Sequence, residues 1–147
     1  MAEDVVHKNP IGYWIITILF LIWNAFGGYD YVMTRTRNID YLKNMGDPQV
    51  LLRWVDSLPL WVQLCWPIGV WSSVLGSVLM AMRSRHAVSA FTVSLIAAAA
   101  SLGYQFTVAL PPELDTIANR VMPIIILAII AFLLWYCRRM ATRGVLR

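Results

Sequence analysis

Long apolar stretches separated by short polar ones dominate the chain. Four of them, 11–33, 59–82, 87–110 and 113–137, reach the length needed to cross a hydrocarbon core of roughly 30 Å, which takes about 20 helical residues. The last is the weakest, because its continuous apolar part is only 121–137, about 17 residues and at the lower limit for a span. Its start is read from Pro111-Pro112-Glu113, which places a proline near a first turn with an acid beside it. The pattern predicts an all-α integral membrane four-helix bundle, a single membrane domain over 1–147. The first stretch also has the outline of a signal peptide, with an apolar run from Tyr13 to Trp23 ahead of the small-x-small triplet Ala25-Phe26-Gly27. The segment before it is nearly neutral, Glu3 and Asp4 against Lys8, and the stretch is therefore read as a span.

The polar intervals predict how the spans are joined. Arg83-Ser84-Arg85-His86 is so short that the second and third spans must form a tight antiparallel hairpin. The interval between the first and second spans, 34–58, is long enough for structure of its own. Asp47-Pro48 reads as an N-cap with proline at the first helical position, and Val50, Leu51, Trp54, Val55 and Leu58 then share a face. A short amphipathic helix is expected there, either on the membrane surface or capping the bundle. Asn38 to Met45, stopped by Gly46, is expected to form another. Within the spans, Pro67 and Pro123 predict packing kinks. Small residues at four-residue spacing, Gly69/Ser73/Ser77, Ser72/Gly76 and Ala90/Ser94/Ala98, allow close helix approach. Trp14, Trp61, Trp135 and Tyr136 sit near span ends, where amphipathic rings anchor at the interface.

Composition agrees with lipid as the solvent: 59% of residues are hydrophobic and 14% charged, with mean hydropathy +0.63, against roughly 45–50% and 25% in soluble domains. The net charge of +4 is spread over short loops and the C-terminal stretch instead of forming a stripe, which argues against nucleic acid and for membrane topology. With four spans, Lys8, Arg83, Arg85, Arg138, Arg139, Arg143 and Arg147 share one side, and Arg35, Arg37, Lys43, Arg53 and Arg120 the other. The positive-inside bias then puts both termini in the cytoplasm. Cys65 and Cys137 should end at opposite membrane faces and form no CxxC pair, so neither a disulfide nor a cysteine metal site is expected. No span carries a histidine suited to haem, His7 and His86 lying at span ends, or a lysine suited to a Schiff base. No phosphate-binding glycine loop, zinc motif or nucleophile elbow occurs, and neither cofactor, metal nor catalytic residue is expected.

Polar residues inside spans are costly, and here they concentrate in the outer half. Counting 1.5 Å per residue from each span's midpoint places Asn24 just outside the midplane and Asp30 roughly 12 Å out. Gln63 and Cys65 of the second span and Ser101, Tyr104 and Gln105 of the third fall in the same half. Asn24, Asp30, Gln63, Ser101, Tyr104 and Gln105 are thus the candidate ligand or partner residues, expected to face one another as a belt because unsatisfied polar groups cost several kcal/mol in hydrocarbon. Asp30 is expected to be hydrated or paired with Arg35, Arg37 or Arg120. With only serine and threonine in the inner half, the belt reads as a blind pocket or as interhelical hydrogen bonding, not as a through path.

The run Trp23-Asn24-Ala25-Phe26-Gly27-Gly28-Tyr29-Asp30-Tyr31-Val32-Met33-Thr34-Arg35-Thr36-Arg37-Asn38, followed by Tyr41-Leu42, Asp56-Ser57-Leu58-Pro59 and the turn from Arg83 to His86, resembles a family of small, uncharacterised bacterial four-span membrane proteins. The resemblance covers roughly the first hundred residues, and some members of that family are loosely labelled "sugar transporter". It implies a bacterial cytoplasmic (inner) membrane location. The expected function is that of a non-enzymatic small polytopic membrane protein, an accessory subunit of a larger membrane complex or an envelope interaction protein. The alternative is a small-solute carrier acting as a homo-oligomer, at least a homodimer. Reporters fused before Met1 and after Arg147 are both expected to read as cytoplasmic, and a periplasmic signal at either end would overturn the four-span topology.

Overall fold

The computed structural model describes residues 11–147. His7, Lys8 and the N-terminal charge count lie outside the described residues. Six helices follow one another: α1 (Ile11–Arg35), α2 (Ile39–Leu42), α3 (Pro48–Ser57), α4 (Leu60–Ala81), α5 (Ala87–Gln105) and α6 (Ile117–Thr142). Among the described residues there is no strand. Four of the helices, α1, α4, α5 and α6, are long and apolar enough to cross a membrane, which makes the chain a multi-pass membrane protein built as a four-helix bundle. One end of the bundle carries α2 and α3, the loop end. The other carries the α4–α5 turn and Arg147, the turn end.

The bundle is held by faces the sequence lays out at helical spacing. On α1 the buried positions Tyr13, Thr17, Asn24, Gly28 and Thr34 form one stripe, while Ile15, Ile18, Leu19, Ile22 and Phe26 on the other faces are exposed. In water that exposure would be a liability; in a bilayer these side chains meet acyl chains. α4 packs against α1 on one side and α5 on the other, and α5 packs against α6. The α4–α5 approach is the closest. A Cβ added at Gly69 would lie 3.2 Å from the backbone nitrogen of Ala98, and one at Gly76 would lie 3.0 Å from the Phe91 ring. Ser94 Oγ donates to the Gly69 carbonyl at 2.7 Å across this seam. α6 closes the bundle differently, touching α1 through aromatic rings toward the turn end: Tyr13 stacks on Tyr136 at 6.3 Å, and Phe20 lies 5.8 Å from Phe132.

The buried core sits at the turn end, where Tyr13, Met80, Phe91, Leu133 and Cys137 are all essentially inaccessible. Tyr136, expected as an interfacial anchor, turns into this core, whereas Trp14, Trp61 and Trp135 stay exposed. The Tyr13 hydroxyl donates to the Met80 carbonyl at 2.5 Å, sharing that acceptor near the end of α4 with the Arg83 N–H. The extended C-terminal residues pair with the α4–α5 turn: Arg147 N–H donates to Arg83 O at 2.8 Å and Arg85 N–H to Arg147 O at 2.9 Å. Arg83 adopts a left-handed φ of 58° and Arg37 one of 56°, each ending its helix as glycine usually does.

At the loop end α2 starts from Asn38, whose side chain accepts the Tyr41 N–H, and α3 from Asp47, whose carboxylate accepts the Gln49 N–H. The buried centre of α3 is Leu52, Val55 and the following Leu58; Val55 and Leu58 belong to the expected face, its other members Val50, Leu51 and Trp54 are half-buried, and Leu52 joins it. With that face turned onto the bundle, α3 is a cap instead of a surface float. The two later boundaries differ from expectation. α5 stops at Gln105, not 110: its end tightens into i→i+3 bonds, Phe106 N–H to Gly103 O and Thr107 N–H to Tyr104 O, and Pro111 then keeps Leu110 out of helix. Those prolines then form a turn and not a helix start, since Thr116 caps α6 by accepting the Asn119 N–H at 3.2 Å, and Asn119 donates to Leu114 O at 2.8 Å. α6 runs past 137 to Thr142, where Gly144 at φ 71° ends it.

Gly69→Ala is expected to force α4 away from α5 and cost about 1–3 kcal/mol, the range for overpacking. Gly103→Ala, with open space around its Cβ, should be neutral or gain up to ~1 kcal/mol of helix propensity. Unfolding in graded denaturing detergent measures both, and equal effects would remove this account of the seam.

Candidate functional site

Because α1 and α6 meet mainly through rings at the turn end, a space remains between them at the loop end. It is a cavity of about 480 Å³. α1 contributes Trp23, Asn24, Phe26, Gly27 and Asp30; α4 contributes Trp66, Gly69, Val70 and Ser73; α5 contributes Ala98, Ser101 and Leu102; α6 contributes Met122, Ile126 and Ile130. Tyr41, Asn44 and Met45 of the α2 region form its lid at the loop end. Trp23, Phe26 and Met122 are exposed lining residues, which places the mouth sideways, at the α1–α6 seam.

The floor is polar and fully paired. Asn24 Nδ2 donates to Ser77 Oγ at 2.6 Å, and Ser73 Oγ donates to Asn24 Oδ1 at 2.6 Å. Both ends of the amide are thereby used on α4, joining α1 to α4 near mid-depth. About 9 Å further along α1, six residues at 1.5 Å each, Asp30 Oδ1 accepts the Tyr41 hydroxyl at 2.7 Å. That bond fixes the lid on α1. Burial, and then the hydrogen bond to the Asp30 carboxylate, push the Tyr41 phenol up to about 12. The Tyr41 ring also meets Tyr29 edge-on at 5.5 Å.

Of the six expected residues, Asn24, Asp30 and Ser101 line this one cavity. Ser101 is buried, and its hydroxyl reaches back only to Ala98 O at 3.4 Å. The other three lie outside it. Gln63 donates to Leu58 O at 2.9 Å and accepts from Arg35 at 3.5 Å, beside a second, polar crevice under α3. Tyr104 packs edge-on against Trp61 at 5.5 Å, and Gln105 is half-buried at the end of α5. The arginine partners expected for Asp30 are elsewhere: Arg37 pairs with Asp56 at 3.0 Å, Arg120 with Asp115, and Arg35 contacts Gln63. Arg120 holds the Asp115 carboxyl below the usual range.

Ser73, Ser77 and Tyr41 were not singled out as polar partners by sequence. The serines registered only as small residues. Their signal was depth, obscured because Cα counting ignores side-chain lean: on antiparallel helices each side chain tilts toward its own N-terminus, so Asn24 and Ser77 reach toward each other from different levels. Both cysteines are free, Cys137 buried beside Met80 with sulfur atoms 3.6 Å apart and Cys65 half-buried on the early part of α4. Among the described residues no group of His, Cys, Asp and Glu is arranged to hold a metal. No family model, curated protein or solved structure matches the chain.

Asn24→Ala is expected to loosen α1 from α4 at a cost of roughly 0.6–2 kcal/mol, the range for membrane hydrogen bonds. A Ser73→Ala, Ser77→Ala double variant should cost about the same, and adding Asn24→Ala to it little more, because the three act as one unit. Full additivity in denaturing-detergent titrations would remove the coupling.

Proposed function

We propose that the chain is a non-enzymatic membrane protein of the bacterial cytoplasmic membrane, an accessory or envelope-interaction protein that holds an amphiphile in the loop-end cavity. The observation supporting this most directly is the reach of that cavity. It runs from the lid at Tyr41 to the Asn24 floor near mid-depth and opens between α1 and α6, within the size range of small-molecule sites, about 300–1,000 Å³. An occupant entering through a side mouth comes from the bilayer plane, so it must be apolar along most of its length. The lining supports that: apolar side chains predominate, with a few polar groups at floor and lid.

Carriage across the membrane, as a homo-oligomer, is the other reading, and the packing disfavours it for this cavity. Beyond Asn24 a solute would meet Tyr13, Met80, Phe91, Leu133 and Cys137 in close contact. The excess of basic residues at the turn end argues for the cavity facing the periplasmic leaflet.

Reconstituted into vesicles doped with a lipid bearing a photoreactive acyl chain, the protein is expected to be labelled preferentially around Trp23 to Gly27 and Met122 to Ile130. Equal labelling of the outward residues Ile18, Leu75 and Ile96 would overturn the reading, and sugar counterflow above that of empty vesicles would replace it with carriage.

A further inference from the structure

Asp30 is the one charged side chain among the described residues that line the cavity. It sits at the lid, where an amphiphile seated with its chain toward the Asn24 floor would place its head group. One carboxylate oxygen accepts the Tyr41 hydroxyl, and the other has no hydrogen-bond partner among the described residues. The basic groups of the loop end are directed elsewhere. Arg37 pairs with Asp56, Lys43 with Asp40 at 3.1 Å, and Arg120 with Asp115. Arg35 contacts Gln63, and Arg53 donates to the Gln49 carbonyl at 3.2 Å. None of the five lines the cavity. A carboxylate in a largely apolar site with no cation of its own favours binding of positive charge, because low local polarity strengthens the attraction.

The surrounding rings have the same preference. Tyr41, Phe26 and Trp66 line the cavity, Tyr41 bonded to Asp30 and Phe26 one helical turn from it on α1, and aromatic faces attract ammonium groups. A phosphate-bearing head group finds no complementary charge there. From this juxtaposition we infer that the occupant is a lipophilic monocation, an amphiphile whose ammonium-type head is bound by Asp30 and its aromatic neighbours while its chain fills the space above Asn24 and Ser73. The inference rests on the cavity-binding reading of the preceding subsection and adds the charge of the ligand to it.

Three photoreactive probes of identical chain, carrying trimethylammonium, hydroxyl or sulfonate heads, test it in zwitterionic vesicles with the reconstituted full chain. The trimethylammonium probe is expected to label the cavity at concentrations at least about tenfold lower than the hydroxyl probe, a difference of 1.4 kcal/mol, with the sulfonate probe weakest. In Asp30→Asn, whose amide oxygen still accepts the Tyr41 hydroxyl, that preference should fall to within about twofold while hydroxyl-probe labelling is retained. Should Asp30→Asn fail to fold, raised salt on the native chain and the Asp30→Glu variant serve instead: salt should narrow the preference and Glu should preserve it. Equal labelling by the three heads overturns the cation inference and leaves the cavity reading standing; absence of cavity labelling by every probe overturns both. A cation preference that survives in Asp30→Asn overturns the role of Asp30.

Discussion

The bond that organises this bundle is the amide of Asn24 held between Ser73 and Ser77. Inside a bilayer the usual driving force for helix association is missing, because lipid tails are as apolar as leucine. What remains is close packing, hydrogen bonding and the demand that each polar group find a partner. α4 and α5 meet the first condition with glycines, serines and alanines. α1 offers fewer small residues on its buried stripe and meets the second, with Asn24 at mid-depth and the Tyr13 hydroxyl on the Met80 carbonyl near the turn end. Two polar fasteners on one face commit α1 to α4. They leave it little backbone-close contact with α6.

The cavity is a consequence of that commitment. α6 is broad and branched, rich in isoleucine and leucine, and approaches α1 only where aromatic rings bridge the distance. Tyr13, Tyr136, Phe20 and Phe132 do so toward the turn end. At the loop end Gly27 and Asp30 on α1 face Met122 and Ile126 on α6 without spanning the gap, and the Trp23 and Phe26 rings stand exposed at its mouth instead of bridging it. A packed half and an open half of one bundle thus follow from where the large rings were placed. The lid depends on the same helix: Asn38 caps α2, α2 presents Tyr41, and Tyr41 returns to Asp30.

The sequence was most legible where lipid was the deciding influence. Four spans, the tight Arg83–His86 turn and the Asp47-Pro48 helix start all follow from apolar length and capping chemistry, and they stand in the structure within a few residues. Boundaries failed where two local signals competed, as at Pro111-Pro112 against Thr116, since a cap with two side-chain hydrogen bonds outweighs a proline that merely tolerates a first turn. The polar belt was half legible. Depth alone brought Asn24, Asp30 and Ser101 into the same outer half, but depth says nothing about which way a side chain faces round its helix. Gln63 and Tyr104 therefore found neighbours on α1 and α4 outside the cavity, and the serines that hold Asn24 were hidden as small residues.

The placement of charge separates structural from free polarity. Asn24 uses both its amide nitrogen and its oxygen on α4, so a ligand competing for those bonds would have to break the contact that holds α1. Its place on the floor is consequently that of a boundary. Asp30 differs in kind: it lies six residues, more than a turn and a half of helix, closer to the interface, spends one oxygen on the lid, and shares the cavity lining with aromatic rings and no arginine. A carboxylate needed only to hold Tyr41 would be served as well by an asparagine, which presents the same acceptor without the cost of a charge in an apolar site. The negative charge is therefore surplus to the lid, and the feature it complements is a positive charge brought in from outside the chain.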